Sequence, residues 1–339
     1  MVLIGIDPHK ATHTAVVVDD CERALARMKV RADRRQLATL LEFADEYRPR
    51  RWAIESAGGL GFLLAQQLVR AGEDVVDVPA TLAARVRLLG SGRGSKSDPN
   101  DALSTAIAAL RDPHLRTVMV EDHAMVLRLL ADRHQDLTSL RTQAVCRLHA
   151  LIAAMTPGGI GRRISADSAA SRLRTIHPAT AVEVTRKQMA LELVGDIRRL
   201  DKSIAQVKKT TAAAVTASGT TVTDIYGVGP IVAALLIGHT GDITRFPTAG
   251  HFASYNATAP IEASSGKVVR HRLNPRGNRQ LNHALHMAAV TQISHDTPGR
   301  AYYQRKIDTD GKSASEARRA LKRRISDAVY RQLRADAHT

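Results

Sequence analysis

Cysteine is nearly absent: the 339 residues contain two, Cys21 and Cys146. Two thiols cannot build a disulfide framework or a cysteine-rich zinc site. No apolar run approaches the ~20 residues needed to span a bilayer. The N-terminus reads as a strand carrying an acid and does not resemble a signal peptide, so a cytosolic protein without membrane contact is expected. Acids are also in deficit, 33 Asp and Glu against 49 Lys and Arg, which leaves a formal net charge of +16. Such an excess attracts polyanions, and nucleic acid is the commonest large polyanion in a cell. At this length two or three domains, each with its own core, are expected.

What is present changes character along the chain. Residues 2–7 (VLIGID) and 14–18 (TAVVV) are β-branched runs separated by a short polar stretch, a hairpin pattern with an acid on its first strand. A third strand is expected near 26–31, a helix from Arg34 to Tyr47, a buried strand at 51–56 (RWAIES), a helix through Leu63, Leu64 and Leu68, and a strand in EDVVDVPA. Strands alternating with helices indicate an α/β layer. The stretch 88–101 (LLGSGRGSKSDPND) reads as a loop, followed by a helix from about Pro99 to Leu110. From 120 to 215 strand signals vanish, and two long segments with apolar residues at three and four read as an antiparallel helical hairpin that mates with another copy. The boundaries expected are 1–118 for an α/β domain, 119–217 for the helical hairpin and 218–339 for a mostly helical C-terminal domain. From Ser265 onward 16 Lys and Arg face 6 Asp and Glu.

Four acids stand out by position. Asp7 ends the first strand, Glu55 ends the RWAIE strand, and Asp98 and Asp101 open a helix on one face. Two parallel strands ending side by side beside a helix N-terminus would gather four carboxylates, which repel one another unless a divalent metal neutralises them. All-oxygen ligation suits Mg²⁺, with Mn²⁺ as the alternative. Carboxylate-held metals are a usual device for phosphoryl transfer on nucleic acid. Taken singly, each acid also reads as a turn former or a helix cap.

In the C-terminal part, EASSGKVVRHRLNPRGNRQL joins Ser264 and Ser265 to Gly266 among Lys267, Arg270, Arg272, Arg276 and Arg279. A serine ahead of glycine can present its hydroxyl at a sharp turn, with the cations holding phosphate oxygens, and it also reads as an ordinary solvated turn. YGVGP, with Gly227 and Gly229, resembles the turn of a helix-hairpin-helix whose amides meet DNA phosphates. An ordinary inter-helix turn reads equally well. Lys10, Lys96, Arg319, Lys322 and Arg323 complete the basic positions expected to meet nucleic acid.

GIDPHK, AIES, KSDPNDA and the block from IYGVGPIVAALLIGHTGDITRF to RGNRQLNHAL together resemble the bacterial insertion-sequence transposases of the family numbered one-ten, described as bridge-RNA-guided recombinases. The resemblance spans nearly the whole chain and implies three parts: a RuvC-like, ribonuclease-H-like DEDD domain, a coiled-coil linker and a C-terminal transposase domain. It implies that Asp7, Glu55, Asp98 and Asp101 bind Mg²⁺ and that Ser265, with Ser264 beside it as the alternative, is a nucleophile forming a phosphoserine link to DNA. It further implies donor and target DNA and an element-encoded guide RNA as partners. A homo-oligomer built as a dimer of dimers, in the bacterial cytosol and associated with the nucleoid, is implied as well. Lys267 stands where many members carry a second glycine. Two other readings remain open from the residues: a metal-dependent nuclease of the Holliday-junction type, and a non-catalytic nucleic-acid-binding architectural protein.

Overall fold

A computed structural model describes residues 1–89, 97–161, 164–262, 271–272, 274 and 277–338. Contacts divide the chain into two units, Met1–Glu121 and Asp122–Thr339, the second holding both the long helices and the C-terminal segment.

The first unit is built on a six-stranded sheet in the order β3-β2-β1-β4-β5-β6. Strands β1 (Val2–Pro8), β2 (Thr12–Val18) and β3 (Ala24–Arg31) form an antiparallel meander. β4 (Arg50–Glu55) and β5 (Val75–Val78) run parallel to β1, and the two-residue β6 (Arg116–Thr117) closes the edge antiparallel to β5. After their first residues β1 and β2 are buried throughout, because both faces of the sheet are covered. Ile4, Ile6, Trp52 and Ile54 meet Leu40 of α1 (Gln36–Phe43) and Leu64 and Leu68 of α2 (Phe62–Arg70). Leu3, Ala53 and Val76 meet Ala83 of α3 (Ala80–Leu89) and Ala102 and Ala106 of α4 (Asp98–Arg111). Apolar residues on both faces explain why these strands are continuous apolar runs in the sequence. The result is the ribonuclease-H-like mixed sheet expected.

The stretch 88–101 differs from expectation at both ends. The helix α3 was not anticipated and carries through to Leu89, and α4 already opens at Asp98. Ser97 is extended and Pro99 falls in the first turn of α4, where a missing N–H costs nothing. The small and basic residues between the two helices hid the end of α3 from a reading by composition.

In the second unit α5 (His123–Ala153) and α7 (Ala181–Ala217) lie antiparallel: His123 bonds the Ala214 carbonyl at one end, and Arg141 meets Asp201 further along. The short α6 (Ala166–Arg174), not anticipated from the sequence, covers one end with Leu173 against Leu148, Ile152, Val194 and Ile197. The N-terminus of α7 is set by a capping box in which Thr180 and Glu183 satisfy each other's backbone N–H groups. A second core joins Leu127 of α5 to α8 (Pro230–Thr240), α9 (Ala249–Tyr255), α10 (Arg279–Ser294) and α12 (Ala314–Asp336), with α11 (Pro298–Asp308) packed on α12. Strands β7 (Ile261–Glu262) and β8 (His271–Arg272) pair antiparallel. No helix among the described residues is long and apolar enough to cross a membrane.

Candidate metal centre and basic surfaces

The pairing register brings the first two acids together. Ile6 lies beside Ile54 across β1 and β4, so Asp7 and Glu55, one residue further on, end adjacent parallel strands on the same side of the sheet. Residues two positions back on that side, Gly5 and Ala53, face α4. Gly5 is what allows this: a Cβ there would overlap the Ala102 carbonyl oxygen and crowd Ala106. Helix α4 can therefore lie directly on β1, and its first turn, with Asp98 and Asp101, arrives over the end of the strand.

The carboxylates are not equivalent. Asp7 is 7% exposed and Asp101 8%, while Asp98 and Glu55 are half-buried. One oxygen of Asp7 lies 3.5 Å from Nδ1 of His9. Ligand atoms of Asp7, His9 and Asp98 all fall within 4.8 Å of one another. Lys29 Nζ donates to Asp98 Oδ2 at 2.9 Å, and that bond, then the lysine's charge, holds the Asp98 carboxyl below its ordinary pKa. Lys29 reaches it because β3 pairs Lys29 with Thr14, which pairs with Asp7, so all three lie in one row across the sheet. Arg87 on α3 forms an ion pair with Asp101. Beyond the end of β4 the turn is fixed by Asp77, which accepts from the Ala57 N–H at 2.7 Å, and by Ser56 at a φ of 51°. Hard oxygen donors around a nearly buried carboxylate, with an imidazole beside them, suit a divalent cation such as Mg²⁺ or Mn²⁺.

Lys29, Arg87 and His9 were not singled out from the sequence. Their signal lies in strand register and in a helix whose end was hidden, both products of long-range pairing.

Among the basic positions, Lys10 is exposed on the turn between β1 and β2. Gly227 has a φ of 86° and packs so closely on α10 that a Cβ would meet the Ala288 carbonyl at 2.8 Å. Gly229 is the exposed N-cap residue of α8. Arg279 and Arg319 are exposed. Arg323 pairs with Asp327 at 3.1 Å. Lys322 is turned inward, 8% exposed, and donates to Asn282 Oδ1 at 2.6 Å. Arg272 lies on β8. Lys96, Ser264, Ser265, Lys267, Arg270 and Arg276 lie outside the described residues.

The sheet order and its covering helices define a ribonuclease-H-like domain joined to a helical unit. Two family models match. One, for the DEDD transposases of insertion sequence IS110 and described as Transposase, covers residues 4–157. The other, described as Transposase IS116/IS110/IS902 family, covers residues 219–304. The chain is 27% identical to the insertion element IS116 uncharacterized 44.8 kDa protein of Streptomyces clavuligerus, over 98% of this chain and 94% of that protein. It is 26% identical to the insertion element IS900 uncharacterized 42 kDa protein of Mycobacterium paratuberculosis, over 98% and 96% respectively. Among solved structures, Thermus thermophilus RuvC in complex with a Holliday junction substrate is similar at 22% identity and a TM-score of 0.28. The similarity covers 35% of this chain and 99% of that one. The chain belongs to the IS116/IS110/IS902 family of insertion-sequence transposases.

Proposed function

We propose that this transposase cuts and rejoins DNA through two separate chemical centres, the acid cluster of the first unit and a serine of the second. The observation that carries the reading is the convergence of Asp7 with Asp98 and His9 at the strand end, with Asp101 in the same first turn of α4 and Glu55 on the neighbouring strand. Asp7, Glu55, Asp98 and Asp101 would hold Mg²⁺ or Mn²⁺. When bound, the metal supplies neutralisation of charge developing on a phosphate and on the oxygen that leaves it. Asp7 contributes a buried carboxylate that stays fixed by β1, and Asp98 a half-buried one whose pKa Lys29 lowers. Lys29 and Arg87, now paired with Asp98 and Asp101, would be placed to hold phosphate oxygens beside the site.

Ser265, or Ser264 beside it, would attack the DNA phosphorus. The serine loses its proton as the Oγ–P bond forms, and the bond from phosphorus to the deoxyribose oxygen breaks, that oxygen taking up a proton to leave as a hydroxyl. The family resemblance and the Ser-Ser-Gly sequence among basic residues support this assignment. A guide RNA encoded by the element would supply sequence choice through base pairing, and the +16 chain would grip RNA and DNA through their backbones. Lys10, Lys96, Lys267, Arg270, Arg272, Arg276, the backbone at Gly227 and Gly229, and Arg279, Arg319, Lys322 and Arg323 are the proposed contacts. The long α5–α7 hairpin would join copies into a dimer of dimers in the bacterial cytosol.

The test incubates purified protein with RNA transcribed from the flanking non-coding region, labelled DNA carrying the matching site, and Mg²⁺. A denaturing gel then reveals a protease-sensitive DNA–protein adduct. Loss of that adduct in Ser265→Ala and in Asp7→Ala supports the proposal. An adduct that survives Ser265→Ala and vanishes in Ser264→Ala moves the nucleophile by one residue. Metal-dependent cleavage without an adduct points to a nuclease, and binding without cleavage to an architectural protein.

A further inference from the structure

Where α10 packs on α12, basic side chains gather without a carboxylate among them. Arg279, His283 and His286 follow one another at four and three residues on α10, and Arg318 and Lys322 stand four apart on α12, a like-charge spacing that disfavours the helix by itself. Lys322 is 8% exposed, and the partner of its amine is the neutral side-chain amide of Asn282. The charges acting on Lys322 are those of Arg318, Arg279 and Arg319, and those acting on His286 are Lys322, Arg318 and His283. Among the described residues no carboxylate acts on either. The acids of α12 are engaged elsewhere: Glu316 with Ser313 at the helix start, Asp327 with Arg323, and Asp336 with Thr220 and Thr221. A buried ammonium facing only other cations is costly unless an anion joins it.

We infer that Arg279, Arg318 and Lys322, with His286 beside them, form a binding site for one phosphodiester group of a nucleic-acid backbone. Three cationic donors from two helices can share the two non-bridging oxygens of a phosphodiester through charge-assisted hydrogen bonds. The site is also hydrogen-bonded to the turn that follows α9. Asn282, held by Lys322, donates to the carbonyls of Asn256 at 3.0 Å and Ala257 at 3.2 Å. Asn256 donates to Ser326 Oγ at 2.7 Å, one turn along α12 from Lys322. Asn256 and Ala257 form the turn from which the chain runs on to β7, and Gly277 packs against Ala257 on the returning side. An anion at Lys322 is therefore two hydrogen bonds from the turn that leads to Ser264 and Ser265. Burial together with the neighbouring arginines brings the Lys322 amine down to about 8, so an anion arriving there would restore its charge.

This inference rests on the nucleic-acid reading above, and its test separates the two. Binding of a labelled DNA duplex to the full chain is followed against salt for the wild type, Arg279→Gln, Arg318→Gln and, as a distant control on α12, Arg331→Gln. The two site variants are expected to weaken binding by on the order of tenfold each and to lower the salt slope by about one, with the control unchanged. Because substitution of buried Lys322 could unfold the protein, the wild-type amine is followed directly by NMR of methylated lysines, with inorganic phosphate alone as probe. Its titration midpoint is expected to rise when phosphate is present. Wild-type binding with all three arginine variants alike, and a midpoint unmoved by phosphate, overturns the site. A midpoint that moves while DNA binding is the same in all variants overturns the backbone assignment in favour of a free anion. A wild-type chain that binds no nucleic acid overturns the functional reading itself, and the phosphate titration still decides whether the anion site exists.

Discussion

Asp7 and Lys322 are both ionisable groups that the fold has taken out of water, and each has a measurable consequence. Asp7 is set at the end of β1 by the register with β2 and β4, so replacing its charge leaves the strand pairing untouched. Asp7→Asn is expected to abolish both Mn²⁺ binding in calorimetry and metal-dependent cleavage, with an unchanged circular dichroism spectrum. Lys29 competes with any metal for Asp98 through a bond in which both partners are partly exposed. An exposed pair is worth up to ~1 kcal/mol, so Lys29→Met should tighten Mn²⁺ binding by at most about fivefold. Unchanged or weaker binding would show that the lysine supports the site instead. For Lys322 the sign runs the other way from a salt-bridged lysine. Its folded pKa lies at about 8, below the ordinary 10.5, so the unfolded chain holds more protons between those values and stability rises with pH across that window. The full cost of the buried charge, on the order of 3 kcal/mol for a change of that size, is present below pH 8. Chemical denaturation of Lys322→Met should lack this rise between pH 8 and 10.5.

Helix α4 on β1 is the element on which the acid cluster depends. Its approach is set by the missing Cβ at Gly5. Gly5→Ala should therefore cost about 1–3 kcal/mol through overpacking and also weaken Mn²⁺ binding, because Asp98 and Asp101 move with the helix. A variant that loses stability but binds metal as before would show that the first turn of α4 is positioned by Lys29 and Arg87 instead. The strands themselves were legible in the sequence, since β-branched residues fill VLIGID and TAVVV and both faces are buried. The helix α3 was not legible, because its sequence, ATLAARVRLL, runs into a glycine- and serine-rich segment that masks its end. With α3 unseen, Arg87 had no reason to be placed beside Asp101.

Charge is distributed unevenly over the whole molecule. Residues 1–121 carry 17 Lys and Arg against 16 Asp and Glu, and residues 122–339 carry 32 against 17. The near-neutral unit holds the acid cluster, and almost the entire net charge of +16 belongs to the unit with the long helices and the serine segment. Nucleic-acid binding by the full chain should accordingly fall steeply with salt, by about 10³–10⁵ between 50 and 200 mM if ~6–10 phosphates are engaged. Neutralising several of Arg318, Arg319, Arg323 and Arg324 together should flatten that dependence, and a slope that stays the same would direct attention to the other helices.

The sequence by itself determined the elements and the inventory: an apolar strand ending in Asp7, a second ending in Glu55, a helix opening on Asp98 and Asp101, and a basic C-terminal quarter. Periodicity and local propensity act over a few residues, and a single chain displays them. The tertiary structure alone decided which charges meet. Lys29 reaches Asp98 across 69 positions through the register of three strands, and Lys322 reaches Asn282 across 40 through the packing of two helices. Pairing of that kind is fixed by which apolar faces bury one another, and burial depends on the whole chain at once.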